Sequence, residues 1–173
     1  NAALKVIKNI DFQKFKSFTI VCGTGNNGGD GLAVARQLFS MNMKIDVFIV
    51  GNHSMSKDCF ANYNILKNIG IDIKHIITCE DMINLREALL ENDMAIDAIF
   101  GVGLTRKIEG IYEEVIKSIN KSNSYIMAID IPSGMKCDSF GILGTSIEAN
   151  KTISFEVYKK GFLDYEGEKY IGT

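Results

Sequence analysis

What most constrains the fold of this chain is a regular alternation of two kinds of segment. FTIVC at 18–22, KIDVFIV at 44–50, AIDAIF at 95–100 and SYIMAIDI at 124–131 are short runs rich in β-branched and aromatic residues. Their length suits strands, and their lack of polar alternation suits strands covered on both faces. Between them, apolar residues recur at helical spacing. After Asp30, the side chains of Val34, Leu38 and Met41 share one helical face, with Leu32, Ala35 and Phe39 beside it. Similar helices are expected at 56–68, 81–92 and 109–121, and IDIKHI at 71–76 adds a short strand. Parallel neighbours need a long crossover, so this repetition builds an α/β fold with a largely parallel sheet covered on both faces.

The last quarter breaks the rhythm. TISFEVY at 152–158 and EKYIG at 168–172 read as strands extending one edge of the sheet, and the opening NAALKVIKNI reads as the body of a helix that lacks a cap. A chain of 173 residues, 46% hydrophobic and 23% charged, fills one core, so the expectation is a single domain over 1–173, shortened at one or both ends. The formal net charge of −2 comes without a basic run interleaved with aromatics, which argues against nucleic acid and against an anionic membrane surface. Cys22, Cys59, Cys79 and Cys137 stand singly, without metal-ligand or redox-motif spacing, as in a reduced cytoplasmic chain. The apolar runs are strand-sized and no signal-peptide pattern opens the chain. His53 and His75 have no matched partners for zinc.

In an open parallel sheet, ligands bind beyond the carboxyl ends of the strands, which singles out three loops. The first is Gly23-Thr24-Gly25-Asn26-Asn27-Gly28-Gly29-Asp30-Gly31, where glycine permits positive φ and close approach of a ligand to backbone. Gly23, Gly25 and Gly28 satisfy GxGxxG, but the acid that would read a ribose at the end of the second strand is missing; Asp46 lies near that strand's start. Ordinary hydride transfer loses its second anchor. Asp30 is expected at or beside the helix N-terminus, where it would repel a phosphate and suit a ribose hydroxyl or a cation better. A tight turn with an N-cap is the alternative, disfavoured here by so many glycines with two Asn and one Asp in one short span.

The second loop runs from Asp97 through Gly101, Val102, Gly103, Leu104, Thr105, Arg106 and Lys107. Its backbone amides and the Arg106 fork could wrap a phosphate, and Asp97 could orient a site or meet a cation; strand capping and surface solubility are the alternatives. The third is Asp130-Ile131-Pro132-Ser133-Gly134. Asp130, directly after an apolar run, is the carboxylate best suited to general acid/base work, unless it only bonds loop amides. Ser133 lacks the context of a nucleophile elbow. Lys159 could reach an anion from the sheet edge.

Taken in order, VCGTGNNGGDGLAVARQL at 21–38, DAIFGVGLTRKIEG at 97–110, AIDIPSG at 128–134, GTSIEANKTISF and YKKGF closely resemble the NAD(P)H-hydrate epimerases, the YjeF N-terminal domain family. The resemblance implies a Rossmann-like three-layer αβα sandwich and interconversion of the R and S forms of hydrated NADH or NADPH (NADHX, NADPHX). It also implies a homodimer and a companion or fused ADP/ATP-dependent dehydratase. By matching motif, Asn26, Asn27, Gly28, Gly29 and Asp30, the loop Gly101 to Lys107, Asp130 and Lys159 surround the substrate. Asn27, Asp97 and Ser133 correspond to ligands of one K+ per subunit, and their amide, carboxylate and hydroxyl oxygens form a plausible hard-cation shell.

Asn150 stands where the family commonly has aspartate, and Lys160 replaces a frequent proline. Asn150 could keep a hydrogen bond while giving up charge. In the implied reaction Asp130 protonates the departing hydroxyl and later accepts a proton from water. A non-catalytic nucleotide-binding or scaffold module of the same fold is the competing expectation.

Overall fold

The structure is a computed structural model that describes residues 2–139, 141–155 and 167–173. Helix α1 (Ala2–Lys8) precedes strand β1 (Ser17–Cys22), helix α2 (Asn26–Ser40), strand β2 (Lys44–Val50), helix α3 (Lys57–Asn68) and strand β3 (Ile73–Ile76). Helix α4 (Met82–Glu91), strand β4 (Met94–Ala98), helix α5 (Ile111–Asn120), strand β5 (Tyr125–Ile129), strand β6 (Lys151–Ile153) and helix α6 (Glu168–Ile171) complete it. The strands form one sheet in the order β3-β2-β1-β4-β5-β6, and every pairing is parallel.

The central strands lack alternation because both of their faces are covered. Along β1, Phe18, Ile20 and Cys22 join one core with Val6 of α1, Leu32, Val34, Ala35 and Leu38 of α2, and Cys59 and Leu66 of α3. Val21 points the other way, into a second core with Met82 and Leu85 of α4 and Val115, Ile116 and Ile119 of α5. Two cores on opposite faces of one sheet make the three-layer αβα sandwich. Each fully buried aliphatic side chain contributes roughly 1.5–3 kcal/mol of transfer free energy.

The amino ends of the strands are closed by polar contacts. Asn92 donates to Thr19 Oγ1 at 2.9 Å and to Asp46 Oδ2 at 3.0 Å, while Lys74 pairs with Asp46 at 3.0 Å. Asp93 accepts from the backbone N–H groups of Lys16 and Ser17.

Three local expectations change. Phe39 on α2 and Met41 just past its end are 42% and 39% exposed, so the core stripe is Leu32, Val34, Ala35 and Leu38. EKYIG is not a strand. Its four residues Glu168–Ile171 form a helical turn ended by Gly172 at φ 62°, and Tyr170 and Ile171 pack on Ile131 and Met135. The strand expected at 152–158 is β6, which pairs with β5 at the sheet edge; the positions beyond 155 lie outside the described residues. Asn150 secures that edge, its Oδ1 accepting from Ile126 N at 2.7 Å and its N–H donating to Ile126 O at 2.8 Å.

Candidate functional site

The strand order reverses between β1 and β4, and beyond their carboxyl ends lies a cleft of about 680 Å³. Thr24, Gly25, Asn26, Asn27 and Asp30 line one side and Ile99 through Arg106 the other, with His53, Tyr112, Asp130 and Phe155 around them.

The floor is made of glycines, but not for the reason the sequence suggested. None of Gly23, Gly25, Gly28, Gly29 and Gly31 has a positive φ. A Cβ on Gly28 would lie 1.9 Å from the Gly23 carbonyl oxygen, and one on Gly23 2.1 Å from that of Ile99. One on Gly31 would meet Ala98 Cβ at 2.4 Å and Cys22 Sγ at 2.7 Å. Missing side chains let α2 press directly onto the ends of β1 and β4. The helix therefore begins inside the glycine-rich word, at Asn26, with Gly25 as N-cap, and Asp30 is its fifth residue rather than its cap. Gly28 and Gly29 face the protein and do not line the cleft.

Beneath the floor, the second and third loops are joined through Asp97. Its carboxylate is wholly buried; Oδ2 accepts from Ser133 N at 2.8 Å, and Oδ1 from Ser133 Oγ at 2.6 Å and Ile99 N at 3.2 Å. The Ser133 hydroxyl oxygen accepts in turn from Phe100 N at 2.9 Å, and Asn27 Nδ2 donates to Phe100 O at 3.0 Å. Burial pushes the Asp97 carboxyl up to about 6, against the pull of its three hydrogen bonds. Among the described residues no charged side chain contributes to that shift. Asn27, Asp97 and Ser133, far apart in sequence, thus meet around Phe100.

Asp130 stands at the cleft just past β5, at φ 68°, a region that Asp tolerates better than most side chains, with its N–H bonded to Ile153 O at 2.9 Å. A Cβ on Gly101 would lie 3.6 Å from Asp130 Oδ2 and 3.3 Å from Asn27 Cβ, so Gly101 fits between the two. Across the cleft, half-burial raises the Asp30 carboxyl, and the charges of Asp130 and Asp58 push it the same way. At the outer rim Arg106 Nη2 stands 3.5 Å from His53 Nε2, and the Phe100 and Tyr112 rings lie 4.9 Å apart.

These loops align with known proteins over most of the chain. Residues 1–161 match the family described as YjeF-related protein N-terminus. The chain belongs to that family. It is 40% identical to the NAD(P)H-hydrate epimerase of Anaerococcus prevotii, covering 92% of this chain and 74% of that protein. It is 39% identical to the bifunctional NAD(P)H-hydrate repair enzyme Nnr of Thermofilum pendens, over 90% of this chain but 30% of that longer protein. The crystal structure of yeast ynu0, YNL200c, shares the fold at a TM-score of 0.78 and 24% identity, covering 92% of this chain and 68% of that one.

Of the expected site residues of this family member, Asn26, Asn27, Asp30, Gly101, Val102, Gly103, Leu104, Thr105, Arg106 and Asp130 come together at the cleft. Lys107 turns away to an exposed pair with Glu109 at 3.1 Å, and Lys159 lies outside the described residues. Thr24, His53, Phe100, Tyr112 and Phe155 also line the cleft without having been singled out for it. For His53 the signal was present: it follows β2, and the carboxyl ends of the strands are where such clefts form.

Proposed function

We propose that this chain interconverts the R and S forms of hydrated NADH or NADPH, as part of nicotinamide-cofactor repair. The observation that carries the reading is the cleft at the strand-order reversal with Asp130 at its edge, in a chain 40% identical to a named NAD(P)H-hydrate epimerase over 92% of its length. The cleft of about 680 Å³ has room for part of a dinucleotide, and exposed Arg106 beside His53 offers hydrogen-bond donors for its phosphates.

In the substrate, the reacting carbon bears a hydroxyl and adjoins the ring nitrogen. The nitrogen lone pair expels the hydroxyl, which takes a proton as it leaves, and water then adds to the opposite face of the planar cation. Asp130 is the group proposed to give that first proton. Acid/base assistance of this kind is worth about 10²–10⁴-fold.

Asn27, Asp97 and Ser133 fit a single K+. The set is all oxygen, suited to a hard cation, and among the described residues no cationic side chain contributes to the environment of the buried Asp97 carboxylate. Bound there, K+ would supply a fixed positive charge beneath the cleft. Asn27 and Ser133 meanwhile hold Phe100 and hence the start of the Gly101–Arg106 rim. The same reading includes a single epimerase domain over these residues, a homodimer, and a companion or fused dehydratase that consumes one epimer. Among the described residues no helix is long and apolar enough to cross a membrane.

The test supplies separated epimers of hydrated NADH and follows their interconversion with and without K+. Interconversion lost in Asp130→Asn, with folding and ligand binding intact, is the expected result. Tight binding without turnover by the unsubstituted chain would instead favour a non-catalytic module.

A further inference from the structure

Epimerisation exchanges a hydroxyl between two faces of one ring, and a single carboxylate can stand on only one of them. A second proton-transferring group is therefore sought on the wall of the cleft facing Asp130. Asp130 reaches the cleft from the end of β5, and its Oδ2 lies 3.6 Å from a Cβ built on Gly101. The side chain of Asn27 approaches that same point to 3.3 Å. Asp30 is one helical turn beyond Asn27 on α2, lines the same cleft and is half-buried. The other polar side chains of that wall, Thr24, Asn26 and Asn27, do not ionise in the ordinary pH range.

We propose that Asp30 is a catalytic residue, the proton donor and acceptor for the face of the substrate ring opposite the one served by Asp130. The proposal rests on the epimerase reading. From one epimer, protonated Asp130 gives its proton to the hydroxyl as the carbon–oxygen bond breaks, and the ring nitrogen supplies the electron pair that leaves a cation and a water. A water on the other face then forms the new carbon–oxygen bond while ionised Asp30 takes its proton. The sum consumes no oxidant or reductant, and one proton has passed from one carboxyl to the other. The reverse epimer needs the opposite protonation of the pair. Burial raises the Asp30 carboxyl, and the charges of Asp130 and Asp58 add to it, in keeping with a group that takes up a proton inside the cleft.

This division of labour predicts a result that a purely binding Asp30 would not give. In ¹⁸O-labelled water the intact enzyme exchanges the hydroxyl of both epimers and interconverts them. With the enzyme-free rate subtracted, Asp30→Asn should epimerise at least about 100-fold more slowly. It should still exchange the hydroxyl of one epimer with retention, through Asp130 alone. Asp130→Asn should show the complementary behaviour, exchanging only the other epimer, and it carries the test if Asp30→Asn does not fold.

Epimerisation by Asp30→Asn at the original rate overturns the proposal. So does an equal loss of exchange from both epimers in a folded Asp30→Asn, or in Asp130→Asn if that is the variant that folds. An unsubstituted chain that neither epimerises nor exchanges would overturn the epimerase reading itself, and this proposal with it.

Discussion

Two glycine-containing loops face each other across the cleft, and they use glycine for opposite reasons. In the floor, Gly23, Gly28 and Gly31 have backbone or side-chain atoms within 3 Å of where a Cβ would stand. In the rim, Gly103 has nothing within 4 Å, and its neighbour Val102 is 47% exposed. Gly23, Gly28 and Gly31 serve helix-on-strand packing, whereas Gly103 stands in open space; Gly25 in the first loop is open too, and Gly101 in the second fits between Asn27 and Asp130. Similar residues in similar positions after β1 and β4 therefore differ in what they do: the first loop fixes geometry and the second meets solvent.

Substituting the floor should break that geometry outright. In Gly28→Ala the new methyl has the Gly23 carbonyl 1.9 Å away, an atom that cannot move without shifting β1 or α2. Overpacking of this kind costs about 3 kcal/mol or more. For a chain of this size that lowers the melting temperature by roughly 10 °C, measured by circular dichroism. An unchanged melting temperature would mean that α2 does not press on β1 as described.

The carboxylates sharpen the same contrast. Asp97 belongs to the floor, with its carboxyl pushed up to about 6 from an ordinary value of 3.8. Between these values the folded chain keeps a proton that the unfolded chain has lost, so stability falls as pH rises from about 4 to about 6 and levels off above. The shift corresponds to about 3 kcal/mol in a K+-free buffer. Asp46, Asp81 and Asp93, whose values are lowered, contribute in the opposite direction. The effect is read as the difference between the chain and Asp97→Asn in denaturant unfolding across that window. If Asn27, Asp97 and Ser133 hold K+, adding it at pH 7 restores part of the loss in the unsubstituted chain and none in the variant.

Arg106, on the rim, should affect binding alone. Its guanidinium is exposed and stands 3.5 Å from His53 at the outer rim, so removing it leaves the core untouched. Arg106→Ala is expected to raise KM for hydrated NADH about tenfold, some 1.4 kcal/mol, at unchanged kcat and melting temperature.

The contrast between floor and rim was only half legible in the sequence. Uninterrupted apolar runs and helical spacing identified the parallel sheet because the strands are buried on both faces, and the order of the three loops identified the cleft because ligands gather at the carboxyl ends of strands. The letters of CGTGNNGGDG do not distinguish a glycine needed for φ from one needed for contact. That depends on Ile99 and Ala98, more than sixty residues away, and so α2 was expected to start later than Asn26. The Asp97–Ser133 bond spans 36 residues and was hidden for the same reason; its partners came from motif resemblance rather than from spacing. EKYIG failed through short length: β-branched and aromatic letters fit a strand, but a buried Tyr170 and a glycine stop satisfied a helical turn.

The smallest expected effect tests the rim directly. Gly103 has open space around it and no positive φ, so alanine meets neither a clash nor a strained backbone. Losing a glycine also restricts the unfolded chain, which at a compatible site stabilises by about 0.4–1 kcal/mol. Gly103→Ala should therefore melt within about 3 °C of the original chain, on the higher side if at all. Its methyl projects where the rim is open, so any loss should appear as a few-fold rise in KM, far below the tenfold expected for the Arg106 charge. A large fall in melting temperature would place Gly103 with the floor glycines and remove the distinction between the two loops.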